Sequence, residues 1–183
     1  DTVYGQILAG KLSVPIDAVR VIQGDTDDIA YGTGTGACRS LIVGGSAVCE
    51  TADRVIEKAR EVAAQILEAA VEDIEIEAGF YSVAGTDRLV SFGEVVDHAG
   101  GINARDRFKP NDFTFPNGTH CCELEVDPET GAVSLDRYLM VHDCGTPVNP
   151  KLVEAQLQGG VVHGLGQAFS EHLIYDFDSG QVL

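Results

Sequence analysis

The sequence predicts an α+β fold, a two-layer sandwich with helices packed on one face of a mixed or antiparallel sheet. Two observations carry this. Helical and strand patterns come in segregated runs instead of alternating βαβ units, and one long helical stripe precedes a series of short strand patterns divided by turn residues. A length of 183 residues with 44% hydrophobic content suits one domain or two small ones with a buried core.

Taken in order, Val3, Ile7, Leu8 and Leu12 run at helical spacing, and the helix ends before Ser13-Val14-Pro15 because proline disfavours helix in the residue before it. Residues 18–23 alternate as a strand. Gly24 to Asp28 is turn chemistry, and residues 31–40 form a loop with glycine at every second position from Gly32 to Gly36. From about Ser40 to Ala70 runs the longest helical pattern, with Ala52, Val55, Ala59, Val62, Ala63 and Ile66 on one stripe. Three short strands are expected at 74–77, 79–83 and 88–91, then a short helix at Phe92 to His98. Residues 99–117 hold no period and read as a long loop, which in compact domains is more often functional or interfacial than idle. Strands at 119–126 and 133–142 are joined by the hairpin signal Asp127-Pro-Glu-Thr-Gly131. Asn149 caps the last helix, Pro150 sits in its first turn where a missing N–H costs nothing, and the pattern continues to about Ser170. A strand, an Asp-Ser-Gly turn and the start of a return strand close the chain. An initial Asp1 and an unpaired half-hairpin at the end are the expected marks of a piece of a larger protein.

Twelve Lys+Arg against 29 Asp+Glu give a net charge of −17, so nucleic acid and anionic membrane faces are excluded as partners by long-range repulsion. No apolar run approaches a membrane span. Five cysteines without CxxC spacing argue against a disulfide framework and for a reducing compartment, the cytoplasm.

The loop Gly32-Thr-Gly-Thr-Gly-Ala-Cys-Arg-Ser40 runs into a helix start, where unpaired N–H groups favour an anion and Thr35, Arg39 and Ser40 add donors. It is neither a P-loop nor a dinucleotide fingerprint, and a plain glycine-rich connector is the competing account. On the last helix Gln156, Gly160 and Gly164 fall at four-residue steps, presenting an amide and then bare backbone. Tight helix packing explains the glycines better than a ligand does, but not Gln156. Alternation sends Cys121 and Cys122 to opposite faces of a strand, so with His120 they are read as core packing rather than as a metal clamp. Cys144 is read as a buried thiol, His163 as packed or interfacial, and the Asp25–Asp28 cluster as a solvated turn lacking the EF-hand pattern.

Tyr4-Gly-Gln-Ile-Leu-Ala9 with Val14-Pro15, Gln23-Gly-Asp-Thr-Asp27, the 32–40 loop, Phe115-Pro-Asn-Gly-Thr-His120, Glu123 to Gly131, Asp143-Cys-Gly145, Val148-Asn-Pro150 and Gln156 to Ala168 stand in an order that resembles the large, molybdopterin-binding subunit of the xanthine dehydrogenase family of molybdenum hydroxylases. The aerobic carbon monoxide dehydrogenase-like branch is the nearest. The resemblance implies that residues 1–183 are part of a molybdopterin-binding domain in a longer subunit, with room for an internal division near the 99–117 loop. It implies that Thr35, Gly36, Ala37, Cys38, Arg39 and Ser40 line the cofactor, and that Gln156 reaches toward the pterin. The implied cofactor is molybdenum-molybdopterin in its cytosine dinucleotide form, held by the full-length protein and not by this segment alone. The implied chemistry is hydroxylation of an aldehyde, N-heterocycle or similar carbon centre, or oxidation of CO, with oxygen from water. Electrons leave through iron–sulfur and FAD subunits or domains. The family's Gly-x-Gly-Glu motif, whose glutamate is the base, has no match here, so no catalytic residue and no metal ligand is assigned. The segment is expected to be catalytically incomplete and to self-associate through faces meant for the rest of the subunit. The competing expectation is a standalone binding or assembly module of the same fold.

Overall fold

A computed structural model describes residues 2–29, 31–32, 34–36 and 39–183. The fold is α+β, and the chain divides into two units, Asp1–Phe113 and Thr114–Leu183.

The first unit is built on α2, Ser46–Ile66, which lies with the short helix α3, Phe92–Ala99, against a three-stranded antiparallel sheet, β1 Ile74–Glu77, β2 Phe80–Val83 and β3 Leu89–Ser91, in the order β1-β2-β3. The residues α2 buries are small: Ala52, Ala59, Ala63 and Ala64. Small side chains bring the helix axis close to the sheet, where Tyr81 and Val95 fill the remaining space with Leu67, Ile74 and Val90. Tyr81 is 1% exposed and its hydroxyl faces the Ile56 carbonyl at 3.4 Å. The sheet is antiparallel throughout, which decides between the two sheet types the sequence allows.

The stripe expected to run to Ala70 stops at Ile66. Glu68 takes a left-handed φ of 47°, the Ala69 N–H returns to the Ala64 carbonyl and the Glu68 N–H to Gln65, a closed C-terminal motif that satisfies carbonyls the helix would leave open. The Arg88 guanidinium donates to the Leu67 carbonyl at the same end. α3 carries a full capping box, with Glu94 N–H donating to the Ser91 hydroxyl oxygen and Ser91 N–H to the Glu94 carboxylate. Hydrogen bonds from the Ser91 hydroxyl and then its backbone hold the Glu94 carboxyl below the usual carboxylate range.

Two expectations are corrected in this unit. The 18–23 segment is not a strand: Ile16–Ala18 is a single 3-10 turn, and 19–23 belongs to no sheet among the described residues. Exposure does alternate from Val19 to Ile22, so the pattern reported a face while no strand edge was there to receive it. The start at Ser40 is not α-helical either, because Ser40–Gly45 is a π-helical segment feeding into α2. α1, Thr2–Leu12, packs across that entrance, with Lys11 Nζ 2.6 Å from an Asp53 carboxylate oxygen.

In the second unit β4, Asn117–Val126, and β5, Val133–Asp143, form an antiparallel hairpin with a register shift between Glu123 and Leu124. Its turn is fixed locally: the Thr130 hydroxyl and the Glu129 N–H donate to the Asp127 carboxylate, which they hold below its ordinary pKa, and Gly131 supplies a φ of 73°. α4, Pro150–Phe169, begins as expected, the Asn149 side chain accepting the Leu152 N–H ahead of Pro150. The return strand near the end amounts to one bridge, Tyr175 with Val182.

Burial holds the Tyr81 phenol in its neutral form, pushing its pKa to about 12. The unfolded chain begins to lose that proton near pH 10 while the folded chain keeps it, so stability is intact below pH 10 and falls as the pH rises toward 12. Urea midpoints measured across pH 9 to 12 are expected to show this extra decline in the wild type and a shallower one in Tyr81→Phe.

Candidate functional site

Described residues of the 23–40 stretch line, with Tyr4 of α1, the entrance to α2 and the 106–108 segment, a cleft of about 720 Å³ within the first unit. Tyr4 forms its floor, its hydroxyl donating to the Ser40 carbonyl at 2.7 Å. This contact requires Gly44, because a Cβ there would overlap the Tyr4 phenol. The glycine is therefore a packing necessity at the π-helical entrance, and it brings two segments 36 residues apart together.

Above that floor the glycine loop doubles back on the helix entrance. Gly34 has a φ of 66°, a left-handed conformation suited to glycine. The turn lets the Ser40 hydroxyl donate to Thr35 Oγ1 at 2.9 Å and Arg39 Nη2 to the Gly34 carbonyl at 3.1 Å. Thr35, Arg39 and Ser40, all three inferred from sequence, line the cleft together. Gly36 lies beside them without lining it; a Cβ there would meet only the Arg39 guanidinium, at 3.8 Å. The Gly36 carbonyl accepts the Arg39 N–H at 3.4 Å, so that amide is turned inward and not offered to an anion. Ala37 and Cys38 lie outside the described residues. Gln156 belongs to the second unit, exposed on α4.

The cleft also uses residues the sequence did not single out as ligands. Gln23, Asp25, Thr26, Asp106, Arg107 and Phe108 all line it. Both carboxylates are engaged: Asp25 Oδ1 accepts the Asp27 N–H, and Asp106 Oδ2 lies 2.8 Å from Arg54 Nε. The Arg107 guanidinium stands over the Tyr31 ring, 4.5 Å from its centroid. Some signal was present, since Gln23 to Asp27 and Tyr4 lie in motifs that carry the resemblance and the 99–117 loop stood out by its length.

A second cavity, of about 550 Å³, lies within the second unit between the end of β5 and α4, lined by Met140, His142, Cys144, Glu154 and Gln158 among others. The register puts Cys121 opposite Leu139 and Cys122 opposite Tyr138, on alternate faces as expected, yet neither is core: Cys121, Cys122 and Cys144 are all exposed. The hairpin has no layer above it in this unit, which is why the packing expected of these residues is not made. His120 Nδ1 instead lies 2.8 Å from the Tyr138 hydroxyl.

A profile of the molybdopterin cofactor-binding domain matches residues 1–183. The chain belongs to that family. Among relatives, it is 33% identical to the carbon monoxide dehydrogenase large chain of Hydrogenophaga pseudoflava and 36% identical to the nicotine 6-hydroxylase large subunit of Paenarthrobacter nicotinovorans. Each alignment covers 96% of this chain and 23% of the relative. The crystal structure of a Cu,Mo-CO dehydrogenase superposes over 100% of this chain and 24% of its own, with a TM-score of 0.89 at 30% identity. The chain thus spans about a quarter of the length of the relatives it matches.

The cleft's chemistry fits a molybdopterin cofactor. Gly32 and Gly34 line it with open space where a Cβ would stand, so a ligand can approach main chain directly. The Thr35 hydroxyl, which accepts from Ser40 and keeps its own proton to give, and the guanidinium groups of Arg39 and Arg107 are donors that a phosphate-bearing heterocycle requires. Among the described residues no helix is long and apolar enough to cross a membrane.

Gly44→Ala is expected to cost about 1–3 kcal/mol through overpacking against Tyr4. In a Tyr4→Ala background the same change should cost little. Urea denaturation of the four proteins of that double-mutant cycle checks the coupling.

Proposed function

We propose that this chain is part of the large subunit of a molybdenum hydroxylase and supplies one wall of its cofactor site. The observation that carries it is the convergence of Thr35, Arg39 and Ser40 with the open glycine backbone on one cleft, in a chain of the molybdopterin-binding family. The Thr35–Ser40 hydroxyl pair and Arg39 bind and orient the cofactor, and Gly36, Ala37, Cys38 and Gln156 are further cofactor-binding residues of the chain. When bound, molybdenum-molybdopterin supplies the two-electron oxidation, with oxygen drawn from water. The protein's part is to fix the cofactor and exclude competing reactions.

In the full-length protein the reaction is hydroxylation of a small-molecule aldehyde, N-heterocycle or similar carbon centre, or oxidation of CO. The names of the relatives, carbon monoxide dehydrogenase and nicotine 6-hydroxylase, support that range. The cofactor is the cytosine dinucleotide form, the partners are the remainder of the large subunit with iron–sulfur and FAD subunits or domains, and the compartment is the cytoplasm. Residues 1–183 alone are catalytically incomplete. They self-associate, because apolar residues such as Leu139, Val141 and Val162 are more than half exposed.

Elemental analysis tests the assignment. The isolated chain is expected to hold no stoichiometric molybdenum, whereas the full-length subunit holds it and loses most of it on Arg39→Ala. Gln156→Ala in the full-length subunit should lower kcat while leaving the thermal midpoint within a degree or two of wild type, since surface changes of this kind alter stability by about 0.5 kcal/mol or less. Full molybdenum in Arg39→Ala, together with full turnover in Gln156→Ala, would leave both segments structural only.

A further inference from the structure

The segment 102–108 has no regular structure, yet it is pinned to the first unit along its length. Ile102 packs against the core cluster around Tyr81. Lys58 Nζ donates to the Asn103 carbonyl at 2.7 Å, and Arg54 Nε lies 2.8 Å from Asp106 Oδ2, both from α2. Exposure alternates from Gly101 to Lys109, with Ile102, Ala104, Asp106 and Phe108 turned inward and Arg105, Arg107 and Lys109 outward. The Asp106 side chain is 14% exposed, and its Oδ1 accepts the Arg107 N–H at 2.7 Å. One carboxylate therefore joins α2 to the backbone of Arg107. That residue's side chain then crosses to the 23–31 side of the cleft and lies over Tyr31.

A loop held only for connection would not need an ion pair with α2 at the residue preceding an exposed guanidinium. We propose that residues 102–108 are a strap across the cleft, that Arg107 binds the phosphate-bearing end of the cofactor, and that Asp106, paired with Arg54, is its positioning residue. The inference rests on the cofactor reading above and extends it to a segment outside the glycine loop. Arg107 and Arg39 both line the cleft, so it offers a phosphate group two guanidinium groups, the side chains whose planar forks suit phosphate oxygens. Stacking on Tyr31 holds the guanidinium plane in place before the ligand arrives, which lowers the ordering cost of binding.

The test titrates inorganic pyrophosphate into the 183-residue chain by calorimetry and measures molybdenum in the full-length subunit. Arg107→Ala is expected to weaken pyrophosphate binding about tenfold or more, with an unchanged urea midpoint. Arg107→Lys should recover part of the loss, Asp106→Asn should weaken binding while the far-ultraviolet spectrum stays native, and Lys109→Ala should change nothing. Arg107→Ala should also lower molybdenum content in the full-length subunit. If Arg107→Ala binds pyrophosphate as wild type does while Arg39→Ala does not, the strap is refuted and the cofactor cleft stands. Loss of pyrophosphate binding with full molybdenum content in Arg107→Ala refutes the cofactor assignment of the strap in favour of free phosphate. No pyrophosphate binding by the wild type, with full molybdenum in Arg39→Ala, overturns both.

Discussion

The alanine face of α2 against the sheet is the contact on which the first unit depends. Ala59 and Ala63 have no exposed surface, and a larger side chain at either would push the helix off Tyr81 and Val95. That distance also places everything attached to the helix. Its π-helical entrance carries Ser40 and Gly44 into the cleft, and its exposed flank carries Arg54 and Lys58 to the 102–108 segment. A site made of irregular segments is thereby mounted on one rigid element, which is how irregular backbone is held to a defined geometry.

The second unit is organised on a different basis. Its turn and helix start are fixed by local hydrogen bonds at Asp127, Thr130 and Asn149, while every residue of β4 is exposed. All the buried hydrophobic side chains among the described residues lie between Ala52 and Val95. A two-stranded hairpin gains little stability without a layer on one face, so this unit's shape comes from backbone pairing and turn chemistry rather than from a core of its own. Open space around Gly159, Gly160 and Gly164 agrees with that, since helix-interior glycines cost about 1 kcal/mol each relative to alanine unless something approaches the bare backbone.

What was legible in the sequence follows the same division. Asp127 to Gly131 and Asn149-Pro150 settle their own conformation within a few residues, and the elements they bound fall within a residue or two of expectation. Thr35, Arg39 and Ser40 were legible because the loop and the helix start that unite them are adjacent in sequence. The π-helical entrance was not, and the tertiary contact made there, from a Tyr4 hydroxyl that donates to the Ser40 carbonyl, comes from 36 residues away. The 18–23 segment shows the converse failure: alternation at Val19 to Ile22 describes exposure correctly, but pairing needs a neighbour that periodicity cannot supply. Tyr4 and Arg107 enter the cleft from opposite ends of the first unit's sequence, so nothing local marks them as neighbours.

Charge is the remaining constraint on an anionic ligand, because the chain carries a net −17. At ordinary ionic strength that field is screened within about 8–10 Å, which leaves the groups lining the cleft in control at contact. There the balance differs from the molecule's average. Asp106 is committed to Arg54 and Asp25 to its own turn, while Arg39 and Arg107 line the space with guanidinium groups exposed to solvent. A distant negative field slows the approach of an anion more than it weakens the bound state, since encounter samples long range and binding samples contact. The excess of acidic residues and a phosphate-bearing ligand are therefore compatible where the carboxylates lining the cleft are engaged within the protein, Asp106 in an ion pair with Arg54 and Asp25 by the Asp27 N–H.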